Sequence, residues 1–220
     1  MKSCKRITAT LLAVLLIAAL AACGTVVLKE RDESAYSIGG GEIAAADIEN
    51  VFVDWGAGEV TITEHDGDGI AITETAQENE NDRLRYKIAG NTLEILYCKP
   101  QIKATNENKS LTVSVPGNTR LKDVLLDATS ATINLDGITC EKIKADVTSG
   151  NITVNAAFSE MGVDSTSGNC TVFLPENTAG VSVRMDTVSG KLNNEFATLP
   201  QGDIKIRFDS TSGDLTIRKK

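Results

Sequence analysis

Hydrophobic and polar positions alternate along most of the chain after residue 43, and the alternation is locked to a repeated string. Five segments align without gaps: Asp127-Ala-Thr-Ser-Ala131, Asp146-Val-Thr-Ser-Gly150, Asp164-Ser-Thr-Ser-Gly168, Asp186-Thr-Val-Ser-Gly190 and Asp209-Ser-Thr-Ser-Gly213. A degenerate sixth copy, Asp54-Trp-Gly-Ala-Gly58, lies far upstream. Three residues before each Asp stand Val51, Val124, Ile143, Met161, Val183 and Ile206, and one before it Val53, Leu126, Ala145, Val163, Met185 and Phe208. Six after it come Val60, Ile133, Ile152, Cys170, Leu192 and Leu215, and eight after it Ile62, Leu135, Val154, Val172, Asn194 and Ile217.

Period-2 alternation on both sides is the mark of half-buried strands. The apolar parity is odd before the Asp and even after it, so the strand must bend or bulge at Ser-Gly, where glycine tolerates the backbone angles of a kink. Each copy therefore reads as strand, corner, strand. Short chains between copies suit a coil in which each turn lies beside its predecessor. The expected fold is all-β, a β-solenoid-like stack of short strands with Asp-x-x-Ser-Gly corners, and right-handed if neighbouring rungs are parallel. The same parity places Ser149, Ser167, Ser189 and Ser212 on the inner side of their corners. Upstream, Glu59 to Thr75 holds two strands split by a His65–Gly69 loop, and Leu84 to Tyr97 reads as a hairpin turning at Ala89-Gly90-Asn91. Leu111–Pro116 and Cys170–Pro175 read as strands closed by proline.

The N-terminus carries Lys2, Lys5 and Arg6, then an apolar run from Leu11 to Ala22, too short for the ~20 residues of a membrane-spanning helix. It ends in Leu20-Ala21-Ala22-Cys23-Gly24, which resembles the lipobox of bacterial lipoproteins. That resemblance implies cleavage before Cys23 and acylation of its thiol, with more than one acyl chain for stable anchoring. The expected organisation is a signal peptide at 1–22, a lipidated flexible tether at 23–42 with the charged run Lys29–Glu33 and Gly39-Gly40-Gly41, and a repetitive all-β domain at 43–220. The chain would then sit on the outer face of the cytoplasmic membrane, or on the outer membrane of a host that has one.

Removing the signal deletes three positive charges and no acids, leaving 19 Lys plus Arg against 30 Asp plus Glu, a net charge of −11. With no basic stripe interleaved with aromatics, a nucleic acid partner is not expected. In tight turns Asp and Ser bond backbone N–H groups, which gives the repeat a structural reading. Rungs stacked at ~4.8 Å would also align Asp127, Asp146, Asp164, Asp186 and Asp209 into an outward carboxylate ladder. Such a ladder needs backbone donors, spacing or a cation such as calcium. The Gly-Gly-x-Gly-x-Asp calcium repeat is missing, so no metal site is assigned, and the Asp66/Asp68 loop reads as a solvated turn before it reads as a calcium site. His65 lacks a nucleophile partner and no Ser stands in a Gly-x-Ser-x-Gly elbow. No catalytic or cofactor-binding residue is assigned, and the expectation is a protein that is not an enzyme. Cys170 stands where other copies have Ile, Val or Leu, a buried filler. Cys98 and Cys140 could pair outside the cytoplasm. Trp55 is either a sugar-stacking platform or a cap on the N-terminal end of the core.

The Leu-x-Val-x-Val-Pro strand at Leu111–Pro116 together with the Asp-x-x-Ser-Gly-x-Ile-x-Val units resembles the bacterial "putative adhesin" domain of unknown function, over roughly Ile48 to Arg218. The resemblance implies a solenoid-like β fold and an envelope or surface location, and carries over no site residue. Two functions follow as expectations. One is a noncatalytic binding or adhesion module for a wall polymer, glycan or envelope protein. The other is a structural or envelope-stress-related component that assembles with itself or with a membrane partner. Cys23 is the one residue to which a specific chemistry, lipidation, is assigned.

Overall fold

In this computed structural model the described residues are 33–75, 77–100 and 109–220. The signal segment 1–22, Cys23 and the first part of the expected tether lie outside them. The alternation yields fifteen strands: β1 (Ser37–Ile38), β2 (Gly41–Ala44), β3 (Asn50–His65), β4 (Gly69–Glu74), β5 (Arg85–Ala89), β6 (Thr92–Leu96), β7 (Lys109–Pro116) and β8 (Arg120–Ser149). There follow β9 (Ile152–Ala157), β10 (Glu160–Ser167), β11 (Cys170–Leu174), β12 (Val181–Ser189), β13 (Leu192–Asn194), β14 (Ile204–Ser212) and β15 (Leu215–Lys219). Two short 3₁₀ turns, Glu33–Ala35 and Glu80–Asp82, complete the described elements.

The strands form a β-solenoid-like stack in which each copy of the repeat is one rung. Before the corner, Asp54 is in register with Asp127, Asp146 with Asp164, Asp164 with Asp209, and Asp209 with Asp186, all in parallel pairs. After the corner, Ile133, Ile152, Cys170, Leu215 and Leu192 follow one another in the same parallel order. The parallel register on which the handedness expectation depends is thus present. The residues before and after the corner face one another across a single core: Val51, Val53, Ile62, Val124, Ile133, Val154, Val163, Val172 and Ile217 are among its buried members.

The rungs do not follow sequence order throughout, which corrects the simple coil. The Asp209 copy inserts between the Asp164 and Asp186 copies, leaving the Asp186 copy at the end of the stack. The residues explain the exchange. An interior rung needs apolar side chains at all four inward positions, and the Asp209 copy supplies Ile206, Phe208, Leu215 and Ile217, each buried. The Asp186 copy supplies Val183, Met185, Leu192 and Asn194, of which none is fully buried. The weaker set takes the end, where one side is open to water.

At the opposite end antiparallel strands close the stack. β5 and β6 form the expected hairpin, with Gly90 at φ 63°, and β4 lies between β7 and β2. Residues 35–42, expected in the tether, belong here instead. Tyr36 is buried and its hydroxyl donates to Glu94 Oε1 at 2.8 Å. Ser37–Ile38 pair with Tyr86 and Arg85, and Gly41–Ala44 pair with Ile72–Gly69. The apolar end of a sheet stack must be covered, and this segment helps to cover it. The compact unit begins at Ala35.

The corners correct the expected Ser orientation. Inward parity persists one residue beyond the Asp, at Trp55, Ala128, Val147 and Ser210, all buried. The next two positions both face out, so Ser149, Ser167, Ser189 and Ser212 are exposed. A hydroxyl contact between rungs is made two positions earlier, where Ser165 Oγ lies 3.2 Å from Ser210 Oγ. The chain turns at the glycine because neighbouring rungs press against it. At Gly150 (φ 141°) a Cβ would fall 1.9 Å from the Ala131 carbonyl oxygen, and at Gly168 (φ 138°) 1.8 Å from that of Gly150. One position further on, side-chain oxygens stitch the rungs: Asn151 Oδ1 accepts from Asn169 N (3.1 Å), Asn169 Oδ1 from Asp214 N (3.0 Å) and Asp214 Oδ1 from Lys191 N (2.8 Å). Lys191 breaks the pattern because no rung follows it.

Candidate binding surface

Side chains at the Asp position point away from the core, since the flanking odd positions point into it. The carboxylates of Asp127, Asp146, Asp164, Asp209 and Asp186 therefore form the expected outward column, one per rung, and Asp54 extends it beyond Asp127. Its neutralisation comes in part from inside the chain. Arg207, two residues before Asp209 and on the same face, bonds Asp164 Oδ1 at 3.2 Å and also Asp209 Oδ2. The guanidinium is half exposed, so the network adds ~1 kcal/mol or less to stability. Among the described residues no group of three or more His, Cys, Asp or Glu side chains has the arrangement to hold a metal ion.

Beside the column, Thr148, Thr166 and Thr211 and then Ser149, Ser167 and Ser212 continue the polar surface to the corner, all exposed. An open groove of about 280 Å³ crosses the corner over Gly58, Ser130, Thr132 and Gly150. Partial burial raises the Asp146 carboxyl above the usual aspartate value, and the neighbouring Asp164 adds to the rise. A folded pKa above the unfolded one favours the fold at low pH, and that contribution is lost as pH rises through the folded value. Asp146→Asn should accordingly stabilise the fold modestly at neutral pH, with the gain vanishing below the ordinary aspartate pKa. Urea melts at pH 7 and pH 3 measure the difference.

The remaining sequence candidates sort into structural roles. His65 staples its own loop: Gly67 N donates to Nδ1 (3.2 Å), leaving Nε2 to donate to the Gly69 carbonyl (2.8 Å). Asp66 and Asp68 lie in that exposed loop. Trp55 is 1% exposed, which removes the sugar-platform reading and leaves the core cap. Its indole Nε1 donates to the Lys109 carbonyl (3.3 Å), and its ring meets Tyr97 edge-on at 5.0 Å. Cys98, Cys140 and Cys170 are all free and buried. Burial pushes the Cys140 and Cys170 thiols up to about 12, so both are inert fillers near neutral pH.

A buried charged cluster at the capped end has no counterpart among the expected sites. Lys109 Nζ bonds Glu74 Oε2 (2.9 Å), the Asp82 carbonyl (2.7 Å) and the Tyr97 carbonyl, and lies over the Trp55 and Tyr97 rings. Arg85, 1% exposed, directs Nη1 at the carbonyls of Glu80 and Arg83. These cations are enclosed by carbonyls and close the end of the core. The signal for Lys109 was its parity, which it shares with Leu111, Val113 and Val115 in β7.

Comparison with known proteins decides the family. Residues 101–220, more than half of the chain, match the family described as Toastrack DUF4097. The chain belongs to that family. Toastrack is a β-solenoid-like domain of unknown function, and the matched region holds the five regular Asp repeats. No curated protein matches the chain. Among solved structures, a "putative cell adhesion protein" from Clostridium sporogenes is similar over 84% of this chain and all of its own, with 14% identity and a TM-score of 0.67. A "putative adhesin" from Bacteroides fragilis covers 84% of this chain and 97% of its own, with 13% identity and a TM-score of 0.40. At such identities the first likeness speaks for the shared fold alone. No helix among the described residues is long and apolar enough to cross a membrane.

Proposed function

We propose that this Toastrack protein is a lipid-anchored, noncatalytic binding or adhesion module on the outer side of the membrane that carries it. Cys23 is the anchor, 1–22 the cleaved signal, and the segment between Cys23 and Ala35 the tether. The observation that carries the reading is the in-register Asp column with its Thr and Ser columns alongside. Rungs repeat at ~4.8 Å, so a ligand that is itself repetitive meets the same carboxylate and hydroxyl chemistry at successive rungs. A wall polymer, a glycan or an extended segment of an envelope protein has that character, with hydroxyl or cationic groups facing the aspartates. His65 is held in its own loop, and Cys98, Cys140 and Cys170 are buried thiols, so none of these four side chains is presented to a ligand on the column.

The test is co-sedimentation of the full chain with isolated envelope polymers. Asp127→Asn combined with Asp146→Asn should weaken binding at least tenfold and reduce its dependence on salt. Binding unchanged by both substitutions would contradict the reading. Cys23→Ser should release the protein from the membrane fraction, and a variant that stays bound would remove the proposed anchor.

A further inference from the structure

Among the described residues the stack ends on β12, which pairs along its length only with β14. On its other edge the described residues supply a single bridge, where Val181 N donates to the Ala197 carbonyl and the Val181 carbonyl accepts from Leu199 N. Backbone groups alternate in direction along a strand, so those of Val183, Met185 and Thr187 point toward the same open edge. Most folds blunt such an edge with a short strand, a proline or a bulge. β12 is nine residues long and contains no proline.

Its charges are also unsatisfied by their neighbours within the sheet. Arg184 stands in register with Arg207, and Asp186 with Asp209, and like charges opposite one another are destabilising. Arg207 is taken by Asp164 and Asp209, while among the described residues neither Arg184 nor Asp186 has an ion-pair partner. Val188 stands in the column of Thr148, Thr166 and Thr211, yet is apolar and 87% exposed. Val183 and Met185 remain only half-buried.

One occupant fits the open edge, the unpaired charges and the half-buried Val183 and Met185. We propose that β12 is the interface with a second copy of this chain, the two β12 strands pairing antiparallel about a two-fold axis through Met185. In that register Arg184 faces the partner's Asp186 and Asp186 faces the partner's Arg184. Val183 lies opposite the partner's Thr187, and Met185 lies opposite its own copy. The residues that pair directly, 183 with 187 and 185 with 185, are those whose backbone groups point to the edge, so each pair exchanges two hydrogen bonds. A strand that complements itself about its own midpoint generates a closed, isologous dimer. Asp186, the last member of the Asp column, belongs to this interface, whereas Asp127 and Asp146 lie on other rungs, so loss of ligand binding in their Asn variants leaves the dimer intact.

Sedimentation equilibrium of the full chain in detergent should show a dimer. Arg184→Asp should weaken association at least tenfold, and Arg184→Asp combined with Asp186→Arg should restore it, because the exchange preserves the pairing only in this register. Met185→Cys should give a homodimer crosslinked by a short bismaleimide, since directly opposed Cβ atoms lie ~4.5–5.5 Å apart, within its span, whereas Thr166→Cys on interior strand β10 should not. A monomeric chain, failure of the charge exchange to restore the dimer, or capture of a different protein at residue 185 would each overturn the proposal.

Discussion

Gly168→Ala should lower the stability of the domain by about 3–5 kcal/mol, the range in which steric conflict and backbone strain combine. The methyl group would fall 1.8 Å from the Gly150 carbonyl oxygen, at a φ of 138° that L-residues rarely adopt. Neither rung can retreat. Gly150 N donates to the Ser167 carbonyl and Gly168 N to the Ser212 carbonyl, so the corner is hydrogen-bonded on both sides. Gly162 provides the control, because a Cβ there meets nothing within 4 Å and its φ is not positive; Gly162→Ala should cost no more than ~1 kcal/mol. Urea denaturation of the two variants separates a glycine required by packing from one that is not. Equal stabilities would mean that the corner is not what fixes the rungs.

Lys109→Ala should cost a similar ~3–5 kcal/mol, the usual loss when one member of a buried ion pair is removed. The substitution removes the buried cation from the Glu74 carboxylate, 4% exposed, leaving it only the Leu84 N–H and the more distant Arg83 at 3.8 Å, and leaves the carbonyls of Asp82 and Tyr97 without their lysine donor. Pairing Lys109→Met with Glu74→Gln should recover part of the loss, because the second change removes the buried charge. Burial lowers the Lys109 pKa below the ordinary 10.5, outweighing the opposing pull of Glu74. Between the lowered value and 10.5 the unfolded chain binds more protons than the folded one, so this group's contribution to stability rises with pH there. The buried cysteines have raised values and act in the opposite direction. The difference between the unaltered chain and Lys109→Met in urea melts from pH 8 to pH 10.5 isolates the lysine.

The inward positions were legible at every interior rung because side-chain direction in a strand has a period of two and the repeat fixes its phase. Less visible was how many residues a corner spans. Strict alternation turns Ser149 and its counterparts inward, whereas two consecutive outward positions precede each glycine. The exchanged order of the last two rungs had a trace in the sequence: Asn194 occupies a position where every other copy is apolar, and it marks the copy exposed at the end. Tyr36 through Glu42 resembled a tether because its glycines and short polar residues carry little period, and their strand pairing is decided by the tertiary need to cover an apolar end. The aspartate column could be foreseen in its alignment. Arg207's reach to Asp164 could not, since those residues lie 43 positions apart and are brought together by rung order.

The most direct test of the function proposed for the Asp column is site-specific photo-crosslinking in intact cells. One probe is placed at Thr148, beside Asp146, and another at Arg218, on the outer side of β15 away from the column. The account predicts an adduct with an envelope polymer or protein from position 148, none from position 218, and loss of the first when Asp127 and Asp146 are changed to Asn. Equal adducts from both positions, or an adduct at 148 that survives the Asn substitutions, would contradict it.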